Sequence, residues 1–441
     1  MRKFVLGALI ALLVVLGLSG TITSQKANDS KDSKESSEST RHLIKTKHYS
    51  IDYHGPKADA EQAGKILEAA WEHYKGFFGA EPKLEDGKLL RVIVHQDRET
   101  FLAAVGRSGD DSHVAGIYNP NTEVAHLYNY PTTQGRHEVL LHECAHQFHY
   151  LSRMGTTTAD HDWLIEGIAE LLCYHHWDGK KLEMLVMPIM TAEDHFSSAL
   201  KAFKSPEFKL SEFLTSSYEG DYDTWHAFAS WLQYGDKGKN AANFAKLARE
   251  VEAEKDPIEA FKASFGDVDK AFASFLVWLE ENQEHWSNEF PQWQSLGNRS
   301  LRGISESEAM AALKHDASEF ETVLLLPDRE EWLAGIVLNW IDDRNHVSVN
   351  INHEGLVVIQ PTVDNVLEEP IKVSMPKPRK KGQRHFKVVR NRGDSVIYVD
   401  KREVKRFHCA TGRFGLSVTK GSADFTEMKW KLVEDPKKTK K

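Results

Sequence analysis

Two hydrophobic periodicities share this chain, and one layer of structure cannot satisfy both. From about Arg136 to Trp286 apolar side chains recur every three or four positions. After about residue 306 they alternate in short runs split by turn residues. The first pattern buries one stripe of a helix and the second one face of a strand. At 441 residues the chain is long enough to hold both as separate domains. Its 41% hydrophobic content, with 11 Trp, 12 Tyr and 21 Phe, supplies apolar surface for two cores. A net charge of -9 gives no reason to expect nucleic acid as a partner.

The ends read differently. Arg2 and Lys3 precede an apolar run from Phe4 to Leu18, shorter than the roughly 20 residues of a spanning helix and typical of a signal sequence. Residues 1–24 are therefore expected to be a signal peptide. That makes the protein secreted, or periplasmic and held at the cell surface, with an uncleaved N-terminal anchor as the alternative. Residues 25–44 are too polar to fold and read as a disordered linker. A first domain is expected over 45–295, a β-sandwich over 306–434 and a basic tail over 435–441. Trp293 to Ser305 reads as the connection between domains. Cys144, Cys173 and Cys409 are too few for a disulfide framework and read as buried apolar residues.

In the first domain, alternation at Tyr49, Ile51 and Tyr53 predicts a strand. The run from Ala58 to Phe78 predicts a helix ending at Gly79, and Leu89 to His95 a second strand. Gly116 to Tyr128 predicts a hairpin turning at Asn119 to Asn121. Helical patterns then dominate. Arg136 to Leu151 contains His142-Glu-Cys-Ala-His146, an H-E-x-x-H pattern. Four residues apart on a helix, two imidazoles leave the same face and can share a metal ion, with Glu143 beside them as a carboxylate base. A catalytic zinc needs a third protein ligand. The following helix, Trp163-Leu-Ile-Glu-Gly-Ile-Ala-Glu170, offers Glu166 as that ligand. Glu170, one turn on, could orient a ligand histidine, and Gly167 permits close helix approach. His149, His137 and Glu138 read as flanking, capping or solvated groups, and His175 and His176 as imidazolium at a helix C-terminus.

Together these two helices resemble the gluzincin metallopeptidases of the thermolysin and aminopeptidase-N types, and most closely a group of exported bacterial proteins with that core. The resemblance covers roughly residues 45 to 285. It implies an α+β metallopeptidase domain with His142, His146 and Glu166 as Zn2+ ligands and Glu143 as general base. It also implies a donor to the developing oxyanion. Tyr222 is preferred for that role, with Tyr218 and His226 as alternatives. A peptide or protein would be the substrate, cleaved at a peptide or related amide bond.

From Phe320 to Leu432, segments such as Ala334-Gly-Ile-Val-Leu-Asn-Trp340 and Gly412-Arg-Phe-Gly-Leu-Ser-Val418 resemble concanavalin-like, laminin-G-type sandwiches. The resemblance implies an all-β module with a glycan or cell-surface ligand. Three readings follow. One is an exported zinc-dependent metallopeptidase. The second is a catalytically inactive, metallopeptidase-like scaffold whose sandwich binds a surface glycan or protein. The third is an enzyme acting on glycans, with the sandwich central and the zinc site ancillary.

Overall fold

The computed structural model describes residues 40–108, 114–130, 133–152, 161–187, 195–216, 220–283, 286–288, 293–296, 300–305, 309–326, 332–342, 344–378, 382–391, 393–408 and 412–433. The segments read as a signal peptide and a basic tail, together with Tyr218 and Cys409, lie outside them. Among the described residues no helix is long and apolar enough to cross a membrane. The chain divides into two compact units, one ending at Asn282 and one running from Gln283 to the C-terminus, the second also taking in residues 186–194.

The first unit begins with β1 (Arg41–Lys45), β2 (Tyr49–His54), α1 (Lys57–Phe78), β3 (Leu90–His95), α2 (Arg98–Ala104), β4 (Gly116–Asn119) and β5 (Val124–Tyr128). The strands form one sheet in the order β1-β2-β3-β5-β4. β2, β3 and β5 run parallel, and β1 and β4 close the two edges antiparallel. β1 therefore starts inside the stretch read as a tether. It is an edge strand with only alternate positions half-buried, so composition concealed it. α1 buries Ile66, Leu67, Trp71 and Tyr74 and ends at Gly79, whose φ of 67° suits a residue without Cβ.

Helices follow: α3 (Thr133–Ser152), α4 (Asp162–Cys173), α5 (His195–Phe203), α6 (Leu210–Leu214), α7 (Tyr222–Tyr234), α8 (Asn240–Glu252), α9 (Pro257–Phe265) and α10 (Val268–Glu281). A small hairpin of β6 (His175–Trp177) and β7 (Leu182–Met184) comes after α4. The Tyr74 hydroxyl donates to the Leu141 carbonyl at 2.8 Å, and the Trp71 and Phe148 rings meet at 4.9 Å, so α1 fixes α3. Asp221 caps α7 by accepting from the Thr224 N–H at 2.9 Å. Phe213, Phe228, Trp231, Phe261 and Phe275 form an aromatic core among α6, α7, α9 and α10.

The second unit is all β: β8 (Trp286–Asn288), β9 (Trp293–Ser295), β10 (Leu301–Ser305), β11 (Ala309–Leu313), β12 (Ala317–Leu325), β13 (Leu333–Asp342), β14 (Asn345–Asn352), β15 (Leu356–Val363), β16 (Val366–Leu367), β17 (Ile371–Ser374), β18 (Gln383–Asn391), β19 (Asp394–Val399), β20 (Arg402–His408) and β21 (Arg413–Leu432). They form one large curled antiparallel sheet. β21 joins its two layers. Its first half pairs with β13 and β11, and its second half with β12 and β10. Ile336, Leu338, Phe386, Ile397, Leu416 and Phe425 fill the core between them, each fully buried. Trp293 to Ser305, read from sequence as a connection, contains β9 and β10. Trp293 is 2% exposed, and a Cβ on Gly303 would lie 2.9 Å from its ring. That glycine serves packing, not chain flexibility.

α4 and α7 approach closely at Gly167, where a Cβ would come 2.8 Å from the Ala229 Cβ and 3.1 Å from the Trp225 carbonyl oxygen. Gly167→Ala is expected to cost about 1–3 kcal/mol through overpacking, measured as the shift in the urea unfolding transition. An unchanged transition would show that the two helices do not meet there.

Candidate metal centre and polar sheet face

α3 presents His142, Glu143 and His146, and α4 presents Glu166 and Glu170. All five are buried, with exposures between 0% and 8%. The His142 and His146 Nε2 atoms are 3.0 Å apart, and each lies 3.4 Å from Glu166 Oε2. Their rings are inclined at 77°, so the two nitrogens converge on a point rather than facing head-on. Two atoms bound to one ion at about 2.0–2.1 Å are separated by roughly 3 Å, which these nitrogens match. Neither carboxylate oxygen of Glu166 has a hydrogen-bond partner. A buried carboxylate without donors is costly unless a cation completes it. His142, His146 and Glu166 therefore form a group able to hold a metal ion.

On the other side of the His142 ring, Nδ1 approaches Glu170 Oε1 to 3.2 Å, at ion-pair distance but without hydrogen-bond alignment. Cys173 joins His142 and Glu170 there in a second convergent group. Burial opposes a charged His142, yet the Cys173 thiol and the Glu166 and Glu170 carboxylates outweigh it and raise its pKa. Burial also works against a charged Glu166, but the imidazoles hold its pKa down at about 2. Glu143 is pushed up to about 6, mainly by burial. Its carboxylate packs against Gly116 of β4, where a Cβ would lie 2.6 Å from it. Gly116 thus makes room for Glu143, a role the sequence signals only by a glycine opening a hairpin.

Tyr222 opens α7, is 7% exposed, and its ring centre stands 6.5 Å from that of His142. Burial first, then the Glu166, Glu143 and Glu170 charges, keep its hydroxyl protonated. His226, one turn on, packs instead against Tyr174 and Phe196. His149 pairs with Glu252 at 2.6 Å and stacks on Phe78, tying α3 to α8. His175 is not the charged helix terminus expected from sequence. It lies in β6, 2% exposed, and burial pushes its pKa down to about 4. His137, expected to be solvated or capping, is likewise buried, with a pKa near 3 for the same reason.

In the second unit, the layer around β13, β14, β15 and the first half of β21 turns polar side chains away from the core. His346 lies opposite Thr362, Ser348 opposite Gln360 and Val337, and Gly335 opposite Asn350 and Ser417. Asn350 Nδ2 donates to Ser417 Oγ at 3.3 Å and Thr419 Oγ1 at 3.0 Å, while Asn350 Oδ1 has no partner. A bulge at Asn339, with φ 54°, interrupts the alternation and returns Trp340 to the Val337 side. The Arg413 guanidinium stands 5.0 Å from the centre of the Trp340 ring, and Trp340 Nε1 has no acceptor.

No protein-family model matches this sequence, and no curated protein matches it. Solved structures do match, over about a third of the chain. The carbohydrate-binding module CBM66 from Bacillus subtilis is 19% identical over 33% of this chain and 95% of its own, with a TM-score of 0.29. The GH43 protein BlXynB from Bacillus licheniformis is 15% identical over 34% and 37%, TM-score 0.28. A xylan beta-1,4-xylosidase from Bacillus halodurans C-125 is 19% identical over 33% and 36%, TM-score 0.26. The chain thus spans little more than a third of the length of the last two. At these scores the likeness assigns no ligand or activity to this chain.

These findings correct the identification made from sequence. The matching proteins are a carbohydrate-binding module and glycoside hydrolases, not metallopeptidases. The gluzincin assignment, and with it a zinc metallopeptidase acting on peptide substrates, is withdrawn. The physical reason is that H-E-x-x-H spacing delivers donors to one helix face and leaves the bond acted on undetermined.

Buried neutral histidines set an acid limit. His175 has a folded pKa near 4 against an ordinary value of 6.5, so the unfolded chain takes up its proton first. Its contribution is complete above pH 6.5 and is lost as pH falls from there to 4, by at most about 3 kcal/mol. His175→Gln is expected to flatten the stability profile across that window, followed by urea unfolding at stepped pH. A profile as steep as that of the unmodified protein would refute a neutral His175.

Proposed function

We propose that this protein is an exported glycan-binding protein whose β-sandwich, of concanavalin or laminin-G-like kind, holds a surface carbohydrate, while its helical unit is a scaffold carrying zinc. The observation that carries the glycan reading is the sheet face around Trp340. It sets the half-buried Arg413 guanidinium beside the Trp340 ring, with the hydroxyl and amide side chains of Ser348, Asn350, Thr362 and Ser417 buried in the same layer. Sugars offer both hydroxyl donors and acceptors, and their C–H faces pack on aromatic rings. The N-terminal Arg2-Lys3 followed by the apolar run from Phe4 to Leu18 supports export.

For the metal, two imidazoles, one carboxylate and a remaining open position suit four-coordinate Zn2+ better than a hard, oxygen-seeking cation. His142, His146 and Glu166 would be the ligands, with Glu170 orienting His142. When bound, zinc supplies a Lewis acid at this place. Glu143 sets a carboxylate beside the ligands, and Tyr222 sets a hydroxyl donor across from them.

Two measurements test these readings. The purified protein is expected to be retarded in native gels containing its polysaccharide. Trp340→Ala should weaken that retardation roughly ten-fold or more, a change of about 1.4 kcal/mol. Absence of retardation on a broad panel of neutral and acidic polysaccharides would sink the glycan reading. Separately, metal analysis should find one zinc per helical unit, lost in His146→Ala and Glu166→Gln. Zinc retained at full occupancy by both variants would place the ion elsewhere.

A further inference from the structure

The tautomer of His175 in β6 is fixed by its surroundings. Its Nδ1 lies 2.8 Å from the Cys173 carbonyl oxygen, which can only accept, so Nδ1 carries the proton and Nε2 a bare lone pair. That Nε2 atom is buried and has no hydrogen-bond partner. A buried acceptor without a donor is unfavourable unless something else fills its lone pair. A histidine that donates one ring N–H to a backbone carbonyl and leaves the other nitrogen bare is held as metal-bound histidines are held.

Beside it stands His137 of α3. The two ring centres are 5.6 Å apart and the planes are inclined at 53°. Two imidazoles on one ion at about 2.0–2.1 Å have ring centres roughly 5–6 Å apart, which this pair matches. His137 is 7% exposed, and among the described residues nothing hydrogen-bonds to its ring. It borders a cleft lined also by Tyr53, Asp59, Gln62 and Arg136, which offers a way in. Across the β6–β7 hairpin His175 is in register with Met184, which is 8% exposed. Directly opposed residues of an antiparallel pair project from one face with Cβ atoms about 4.5–5.5 Å apart, so Met184 sets a thioether on the His175 side. Glu183 falls on the other face, paired with Lys181.

We propose that His137, His175 and Met184 form a second metal position, apart from that of His142, His146 and Glu166, and that its ion is Cu(I). Two neutral imidazoles and a thioether are soft donors without negative charge, which suits a soft monovalent ion. A buried divalent ion there would keep its charge uncompensated. The outside charges felt by the two rings come from Arg136 and His176, and Arg136 is itself paired with Asp59 at 3.2 Å. Burial keeps both rings free of a second proton at neutral pH, so each has a nitrogen lone pair to give. The helical unit thus separates two ions by donor type, with the carboxylate-containing set left to zinc.

The test titrates the full-length, zinc-supplied protein with Cu(I) under nitrogen in competition with bicinchoninate, and measures bound copper and zinc. One Cu(I) per chain is expected without loss of zinc, and its X-ray absorption spectrum should show nitrogen and sulfur neighbours. Met184→Leu, which keeps side-chain volume, should weaken binding at least about ten-fold and remove the sulfur neighbour. His175→Gln should weaken it further, whereas Cys173→Ser should leave it unchanged. Thermal unfolding of each variant separates loss of a ligand from loss of the fold. Unaltered affinity in either Met184→Leu or His175→Gln would overturn the assignment. Loss of uptake in Cys173→Ser would move the ion to the thiol and overturn it too. Release of one zinc for each copper bound, or no copper uptake at all, would do the same.

Discussion

Glu143, Glu166 and Glu170 are buried with His142 and His146 where α3 meets α4, and the first unit is organised around making that burial tolerable. Removing ionised groups from water costs several kcal/mol each unless opposite charge and hydrogen bonds replace the solvent. Glu170 finds the Nδ1 side of His142, and Glu166 finds the two Nε2 atoms, yet both Glu166 oxygens remain without hydrogen-bond donors. The arrangement is a socket for positive charge. Its walls are apolar and rigid: α1 pins α3 through Tyr74 and Trp71, Gly167 lets α7 close over α4, and Gly116 admits the Glu143 side chain.

The second unit depends on a different constraint, a single strand serving two layers. β21 runs for 20 residues and changes partners part way, with Gly421 in the left-handed region between its halves. Alternation is kept through most of both halves, so Leu416 and Phe425 reach the same core. The two layers share this strand but not their electrostatics. Acid-base pairs cover one, and the other carries hydroxyl and amide side chains that are buried.

Much of this was legible in the sequence because it follows from local periodicity. The helix of His142 and His146, the neighbouring helix of Glu166 and Glu170, and the hairpin from Gly116 to Tyr128 stand where the spacing put them. The rest depended on tertiary context. β9 and β10 are too short to show a period, and β20 is an edge strand without apolar alternation. Trp340 lies on the polar face only because a bulge at Asn339 shifts the count by one, which no two-residue period foresees. His175 looked like a helix-end cation but is neutral, since burial is invisible to position along the chain. Gly116 was read only as the start of a hairpin, although its lack of a side chain matters to a carboxylate far away in sequence.

The withdrawn peptidase assignment shows where local legibility stops. Helical spacing can bring donors together, but the state of those donors depends on what shares the socket. Burial holds the Glu143 pKa near 6, so close to neutral pH a small change in nearby charge decides whether it carries a proton. A divalent cation among His142, His146 and Glu166 would favour the ionised form further. A motif records the residues and not the occupancy, so it reaches as far as a charge socket and no further.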